Sequence, residues 1–106
     1  MTSERVRQAL KEFVRERNWA KFHTPANLAK SSSIEAGELL ECFQWNDHAD
    51  PPRVSEELAD VPTYCMLLAE QLSVDPDEIV LAKLVVTADK YPAERAKGRT
   101  TKYDAP

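Results

Sequence analysis

The sequence predicts an all-α protein, and three features of it carry that expectation. Helix-forming residues dominate and only two of the 106 positions are glycine, a composition suited to helices rather than turn-rich sheets. All seven prolines stand where a helix could begin, end or kink. Apolar residues recur at three- and four-residue spacing, and no stretch alternates in the manner of a strand. A chain of this length fits one domain around one core, so residues 1–106 are expected to form a single domain with a basic tail over about 93–106. Short connections favour antiparallel neighbours, and the expected product is a four-helix bundle. A bundle this small leaves helix faces that need a partner subunit, so a homodimer or homotetramer is expected.

The elements follow in order. Helix one is expected over roughly Ser3 to Arg17, where Val6, Ala9, Leu10, Phe13 and Val14 form the apolar face and the charges fall elsewhere. Asn18 to His23 reads as a loop carrying Trp19, Phe22 and His23. Thr24 then caps helix two, with Pro25 at its first position, and that helix is expected to run to about Trp45. Asn46 to Pro52 is a polar, proline-containing connection. Helix three is expected over roughly Pro52 to Leu72 with Pro62 inside it, which removes the donor to the Leu58 carbonyl and predicts a bend. Asp75-Pro76-Asp77-Glu78 combines a cap, a proline and first-turn acids, and starts helix four, which ends near Asp89 before Tyr91-Pro92. Beyond that the chain is expected to be irregular.

No apolar run is long enough to span a membrane and no signal-peptide core is present, so a cytoplasmic protein is expected. Cys42 and Cys65 are isolated and read as small core residues in a reducing compartment rather than a disulfide or zinc site. Charge is unevenly distributed. Glu35 to Asp60 holds eight acids and one basic residue, Arg53, while Lys90 to Lys102 holds five basic residues and one acid, Glu94. This pattern could hold metal ions and phosphates, or could simply be solvated surface. The overall acidity argues against a nucleic-acid polymer as partner.

Placing the acids around each helix at about 100° per residue is more informative. With Glu35 as origin, Leu28 and Leu39 lie within about 40° on one side and Cys42 about 20° on the other. Glu35 therefore points into the apolar stripe, Glu38 borders it beside Ile34, Cys42 and Trp45, and Glu41 points further away. On helix three, Val54, Val61, Cys65, Leu68 and Leu72 define the apolar arc. Glu57 falls inside it and Asp60 at its edge, whereas Glu56 lies further out. Core-facing carboxylates are costly unless paired or metal-bound. Four acids converging from two antiparallel helices need a compensating charge, and Arg53 alone looks insufficient. A hard, oxygen-preferring cation such as Mg²⁺ is the natural candidate.

Glu35-x-x-Glu38, eighteen intervening residues, then Glu57-x-x-Asp60 resembles the paired motif of the MazG-like, all-α nucleotide pyrophosphohydrolases. The flanking stretches Arg17 to Leu28, Gly37-Glu38-Leu39, Phe43-Gln44-Trp45, Glu56 to Val61 and Lys90-Tyr91-Pro92 resemble the dCTP pyrophosphatase branch of that family, from about Val6 to Tyr103. The resemblance implies Mg²⁺-dependent cleavage of a (deoxy)nucleoside triphosphate to monophosphate and pyrophosphate, with Mn²⁺ a possible substitute, and house-cleaning of dCTP-like or non-standard dNTPs. It implies Glu35, Glu38, Glu57 and Asp60 as metal ligands, and Glu38 or Glu41 as the group that takes a proton from water. Trp19, His23 and Trp45 match base-pocket residues, while Tyr64, Lys83, Lys90, Tyr91, Arg95, Lys102 and Tyr103 are candidates for the phosphate and sugar end. Two positions depart from the branch. Thr87 stands where an asparagine is usual and Leu10 where a histidine is common, and both positions belong to base recognition. The Ser31-Ser32-Ser33 run also replaces more apolar sequence. The alternative reading is a non-catalytic oligomeric helical regulator or adaptor that retained the fold.

Overall fold

A computed structural model describes residues 4–98, and among them every regular element is helical. The helices are α1 (Glu4–Glu16), α2 (Pro25–Glu41), α3 (Pro51–Gln71), α4 (Pro76–Lys90) and α5 (Ala93–Ala96), with a 3₁₀ turn at Ala20–Phe22. Four helices longer than seven residues match the number expected for the bundle. The chain divides into two compact units, one ending at Val74 and the other beginning at Asp75.

The first unit is organised around α3, against which α2 packs extensively and α1 more lightly. Leu28 on α2 is 1% exposed, and Cys42 and Ala69 are also buried. The Cys65 thiol reaches the Ser32 hydroxyl at 3.8 Å, and that hydroxyl donates to the Leu28 carbonyl at 2.9 Å. Ser32 thus satisfies its polarity at the α2–α3 contact. Polar ties join α1 to α3: Arg7 Nε donates to Glu70 Oε2 at 3.1 Å, and Lys11 Nζ lies 3.5 Å from Glu70 Oε1.

Local chemistry sets most helix ends. The Thr24 side chain accepts from the Asn27 N–H at 3.1 Å and Pro25 occupies the first turn of α2. Asp75 accepts from the Asp77 N–H at 2.9 Å ahead of Pro76 in α4. Two helices end in the same way. Asn18 adopts φ 53°, with its N–H bonded to the Arg15 carbonyl and that of Trp19 to Val14. Ser73 adopts φ 54°, with its N–H bonded to Glu70 and that of Val74 to Ala69. Both are Schellman closures on a left-handed residue.

Two expectations are corrected. Helix two stops at Glu41 rather than near Trp45, because the N–H groups of Cys42, Phe43 and Gln44 bond to carbonyls three residues back, turning the chain out of the α-helix. The segment after Tyr91-Pro92 is not wholly irregular: Ala93–Ala96 forms a short helix behind Pro92. Pro62 lies inside α3, and the helix continues through it to Gln71.

In the second unit α4 is apolar around most of its circumference, yet Ile79, Val80, Leu81, Leu84, Val85 and Val86 are all exposed.

Candidate metal centre and adjoining cleft

Packing of α2 on α3 brings Glu35 together with Glu57 and Asp60. One carboxylate oxygen from each lies within 4.8 Å of the others. Glu57 and Asp60 are three residues apart and so share a face of α3. Glu35 and Glu57 are half-buried and Asp60 is exposed. Glu56, one residue away, is exposed, as is Glu41 at the end of α2.

Glu38 sits one turn after Glu35 and faces the same group. Desolvation raises the Glu57 carboxyl above the usual carboxylate range, and the charge and hydrogen bonding of Glu38 add to that rise, as does Asp60. Arg53 pulls in the opposite direction more weakly than any of these. Ion pairs among the described residues join Arg7, Lys11 and Arg15 to Glu4, Glu12 and Glu70, and none reaches the four acids. Among the described residues, then, no ion pair neutralises the cluster.

One atom makes the deficit specific. Glu35 Oε2 is buried and has no hydrogen-bond partner, a condition shared by no other buried side-chain nitrogen or oxygen among the described residues. An orphaned carboxylate oxygen costs several kcal/mol unless something compensates it. An all-oxygen donor set with one desolvated member suits a hard divalent cation.

A cleft of about 240 Å³ lies further along α3. Leu10, Phe13, Val14, Trp19 and Leu67 supply its apolar walls, and His23, Thr63 and Tyr64 its polar groups. The turn that closes α1 delivers Trp19 to it. The Trp19 and Phe13 rings meet edge to face with centroids 5.6 Å apart. The Arg17 guanidinium covers Phe13 at 3.8 Å and donates to its carbonyl at 3.1 Å, holding that ring in place. The Thr63 hydroxyl donates to the Ala59 carbonyl at 2.8 Å. Tyr64 follows Asp60 by four residues, so the cleft adjoins the acid cluster along one face of α3.

The sequence-derived site residues thus separate by location. Glu35, Glu38, Glu57 and Asp60 converge, and Trp19, His23 and Tyr64 line one cleft. Trp45 joins neither set: it is 89% exposed in the segment after α2, not on the helical face beside Glu38 where sequence phase put it. Lys83, Thr87 and Lys90 lie on α4, Tyr91 caps that helix and Arg95 lies on α5, all in the second unit. Thr87 is half-buried and its hydroxyl donates to the Lys83 carbonyl at 3.1 Å. Lys102 and Tyr103 lie outside the described residues. Sequence reasoning missed Phe13, Val14, Thr63 and Leu67 as cleft residues. The usable signal was their three- and four-residue spacing from Leu10, Asp60 and Tyr64.

Residues 30–105 match the MazG-like family. Human (Homo sapiens) dCTP pyrophosphatase 1 is 38% identical over 112 residues, covering 96% of this chain and 66% of that protein. The Rattus norvegicus dCTP pyrophosphatase 1 is 37% identical with the same coverage. The chain therefore spans slightly less than two thirds of the length of these relatives. Among solved structures, a pyrophosphatase from Archaeoglobus fulgidus is 41% identical, with a TM-score of 0.78 over 84% of this chain and 91% of that one.

Proposed function

The chain belongs to the MazG-like family, and from that premise we propose that it is a Mg²⁺-dependent nucleoside triphosphate pyrophosphohydrolase, cleaving a (deoxy)nucleoside triphosphate between its α- and β-phosphates to the monophosphate and pyrophosphate. The observation that carries this is the convergence of Glu35, Glu57 and Asp60, with Glu35 Oε2 buried and unpaired, beside an aromatic cleft on the same helix. The relatives named dCTP pyrophosphatase and the pyrophosphatase structure support the reaction class.

Glu35, Glu38, Glu57 and Asp60 would hold Mg²⁺, with Mn²⁺ a substitute. Bound there, the cation would neutralise phosphate charge and lower the pKa of a bound water. A carboxylate oxygen of Glu38 or Glu41 takes the proton as water attacks the α-phosphorus, and the bond to the bridging oxygen breaks to release pyrophosphate. The Trp19 ring and His23 receive the base at the cleft, and Tyr64, between cleft and acids, faces the sugar and phosphates. Trp45, Lys83, Thr87, Lys90, Tyr91, Arg95, Lys102 and Tyr103 remain substrate contacts in this proposal, with the cations offsetting charge on the departing pyrophosphate.

The biological role proposed is cytoplasmic house-cleaning of dCTP-like or non-standard dNTPs, as one domain assembled into a homodimer or homotetramer. The exposed apolar residues of α4 support assembly. No helix among the described residues is long and apolar enough to cross a membrane.

Incubation with a dNTP panel and Mg²⁺, followed by separation of products, tests the reaction. Monophosphate and pyrophosphate are expected in equal amounts. Diphosphate with inorganic phosphate, or no turnover of any normal or modified nucleotide, overturns it.

A further inference from the structure

We propose that Arg17 is a positioning residue for nucleotide binding: acting through Phe13, it orders the Trp19 ring on which a base stacks, without touching the nucleotide itself; this rests on the reading of the cleft as the base site. Trp19 stands in the turn after α1 and is 44% exposed, so burial does not fix its ring. A ring that receives a base has to be ordered before binding or at the moment of binding, and ordering it at that moment weakens affinity. The backbone of the turn is set, with Asn18 at φ 53° and the Trp19 N–H bonded to the Val14 carbonyl at 3.1 Å. These contacts place the Trp19 Cα but leave its side-chain torsions to be chosen by what the ring touches.

The ring it touches is that of Phe13, edge to face, at 5.6 Å between centroids and 75° between planes. Such a contact restricts an indole only as firmly as its partner is itself held. Phe13 is 45% exposed, so burial does not hold it either. Arg17 does. It follows Phe13 by four residues, on the same side of the chain. Its Nη1 donates to the Phe13 carbonyl at 3.1 Å, which ties the guanidinium to the last turn of α1. Tied there, the guanidinium lies 3.8 Å from the centroid of the Phe13 ring, where the negative face of the ring attracts it. Arg17, Phe13 and Trp19 thus form a series: cation on ring, ring against ring, all within residues 13–19. Trp19 and Phe13 line the cleft and Arg17 does not, so the guanidinium acts from behind.

Double-mutant cycles on binding, run on the full chain, test this apart from catalysis. The probe is the tightest-binding of the α,β-imido analogues of dCTP, dTTP, dATP and dGTP, titrated calorimetrically with Mg²⁺. Arg17→Ala is expected to raise its Kd about three- to tenfold. In a Trp19→Ala or a Phe13→Leu background the same change should cost less than about twofold, because the series is already broken. A guanidinium that contacted phosphate, or that merely stabilised the domain, would give its full penalty in both backgrounds, and that result overturns the proposal. A second readout needs no ligand. The order parameter of the Trp19 indole N–H should fall in Arg17→Ala, while that of Trp45 stays unchanged as the internal control. An unmoved Trp19 overturns the proposal, and it decides alone should Phe13→Leu not fold. If Trp19→Ala weakens binding and Arg17→Ala does not, this inference fails and the base-site reading stands. If Trp19→Ala leaves binding unchanged, or no analogue binds, the base-site reading fails and takes this inference with it.

Discussion

Glu56 and Glu57 are adjacent acids of identical chemistry, and helical phase separates them: Glu57 is half-buried against Glu38 and Asp60, while Glu56 is exposed. Replacing Glu57 with Gln should lower kcat/KM for the preferred dNTP by about a hundredfold or more. Glu56→Gln should leave it within about threefold, and equal losses in steady-state assays would reject the assignment. The raised Glu57 carboxyl also has a pH consequence. A carboxyl whose folded-state pKa exceeds its unfolded value holds more protons when folded between those two values. Metal-free stability should therefore fall as pH rises through that window, while Mg²⁺ affinity should increase over it. Melting curves with EDTA and with Mg²⁺ across that range would show opposite slopes. Ser73 carries a different cost. It occupies the left-handed closing position of α3, where glycine has no Cβ penalty. Ser73→Gly should stabilise the chain by about 0.5–1 kcal/mol, read as a higher Tm.

At the scale of elements, α3 serves both halves of the proposed site: Glu57 and Asp60 on one turn, Thr63, Tyr64 and Leu67 on the next. Pro62 lies between them, where it denies Leu58 a helical donor. Pro62→Ala restores that bond and should stabilise the protein by about 1–2 kcal/mol in urea unfolding. If stability rises while kcat/KM falls, the proline sets the relative placement of acids and cleft. If both are unchanged, the helix absorbs it without consequence. The Arg7–Glu70 pair joins α1 to α3, and Arg7 holds the Glu70 carboxyl below its usual range. Both side chains are more than a third exposed, so screening limits the worth of the pair to about 1 kcal/mol or less. Leu10, Phe13 and Trp19 line the cleft opposite Thr63, Tyr64 and Leu67 of α3.

For the whole molecule, the mutual repulsion of four acids makes a bound cation a stabilising ligand. Mg²⁺ at a hundredfold excess over its Kd should add about 2.7 kcal/mol of stability. The shift should vanish in Glu57→Gln, and a Tm indifferent to EDTA would favour the non-catalytic adaptor reading. The apolar surface of α4 makes a second prediction: sedimentation should show a dimer or tetramer dissociating on dilution, and Leu81→Lys or Leu84→Lys should lower the assembly state.

The helix starts and the inward-facing acids were legible in the sequence because their causes are local. A cap bonds two or three residues ahead, as Thr24 and Asp75 do, and a helical face follows from 100° steps along one segment. The end of α2 was not legible, since Phe43-Gln44-Trp45 continues the apolar pattern and carries no glycine or proline. Only the observed turn places Trp45 in solvent rather than beside Glu38. The cleft was hidden for a related reason. Leu10 and Tyr64 lie 54 positions apart in the numbering, and no periodicity within α1 or α3 states that the two walls meet. By itself the sequence determined the helical class, the helix caps and which carboxylates face inward, because these depend on interactions within a turn or two of chain. Tertiary structure alone decided that Glu35 Oε2 is left without a partner and that an apolar wall faces His23 and Tyr64, because burial and orphaned polarity exist only once separate helices exclude water between them.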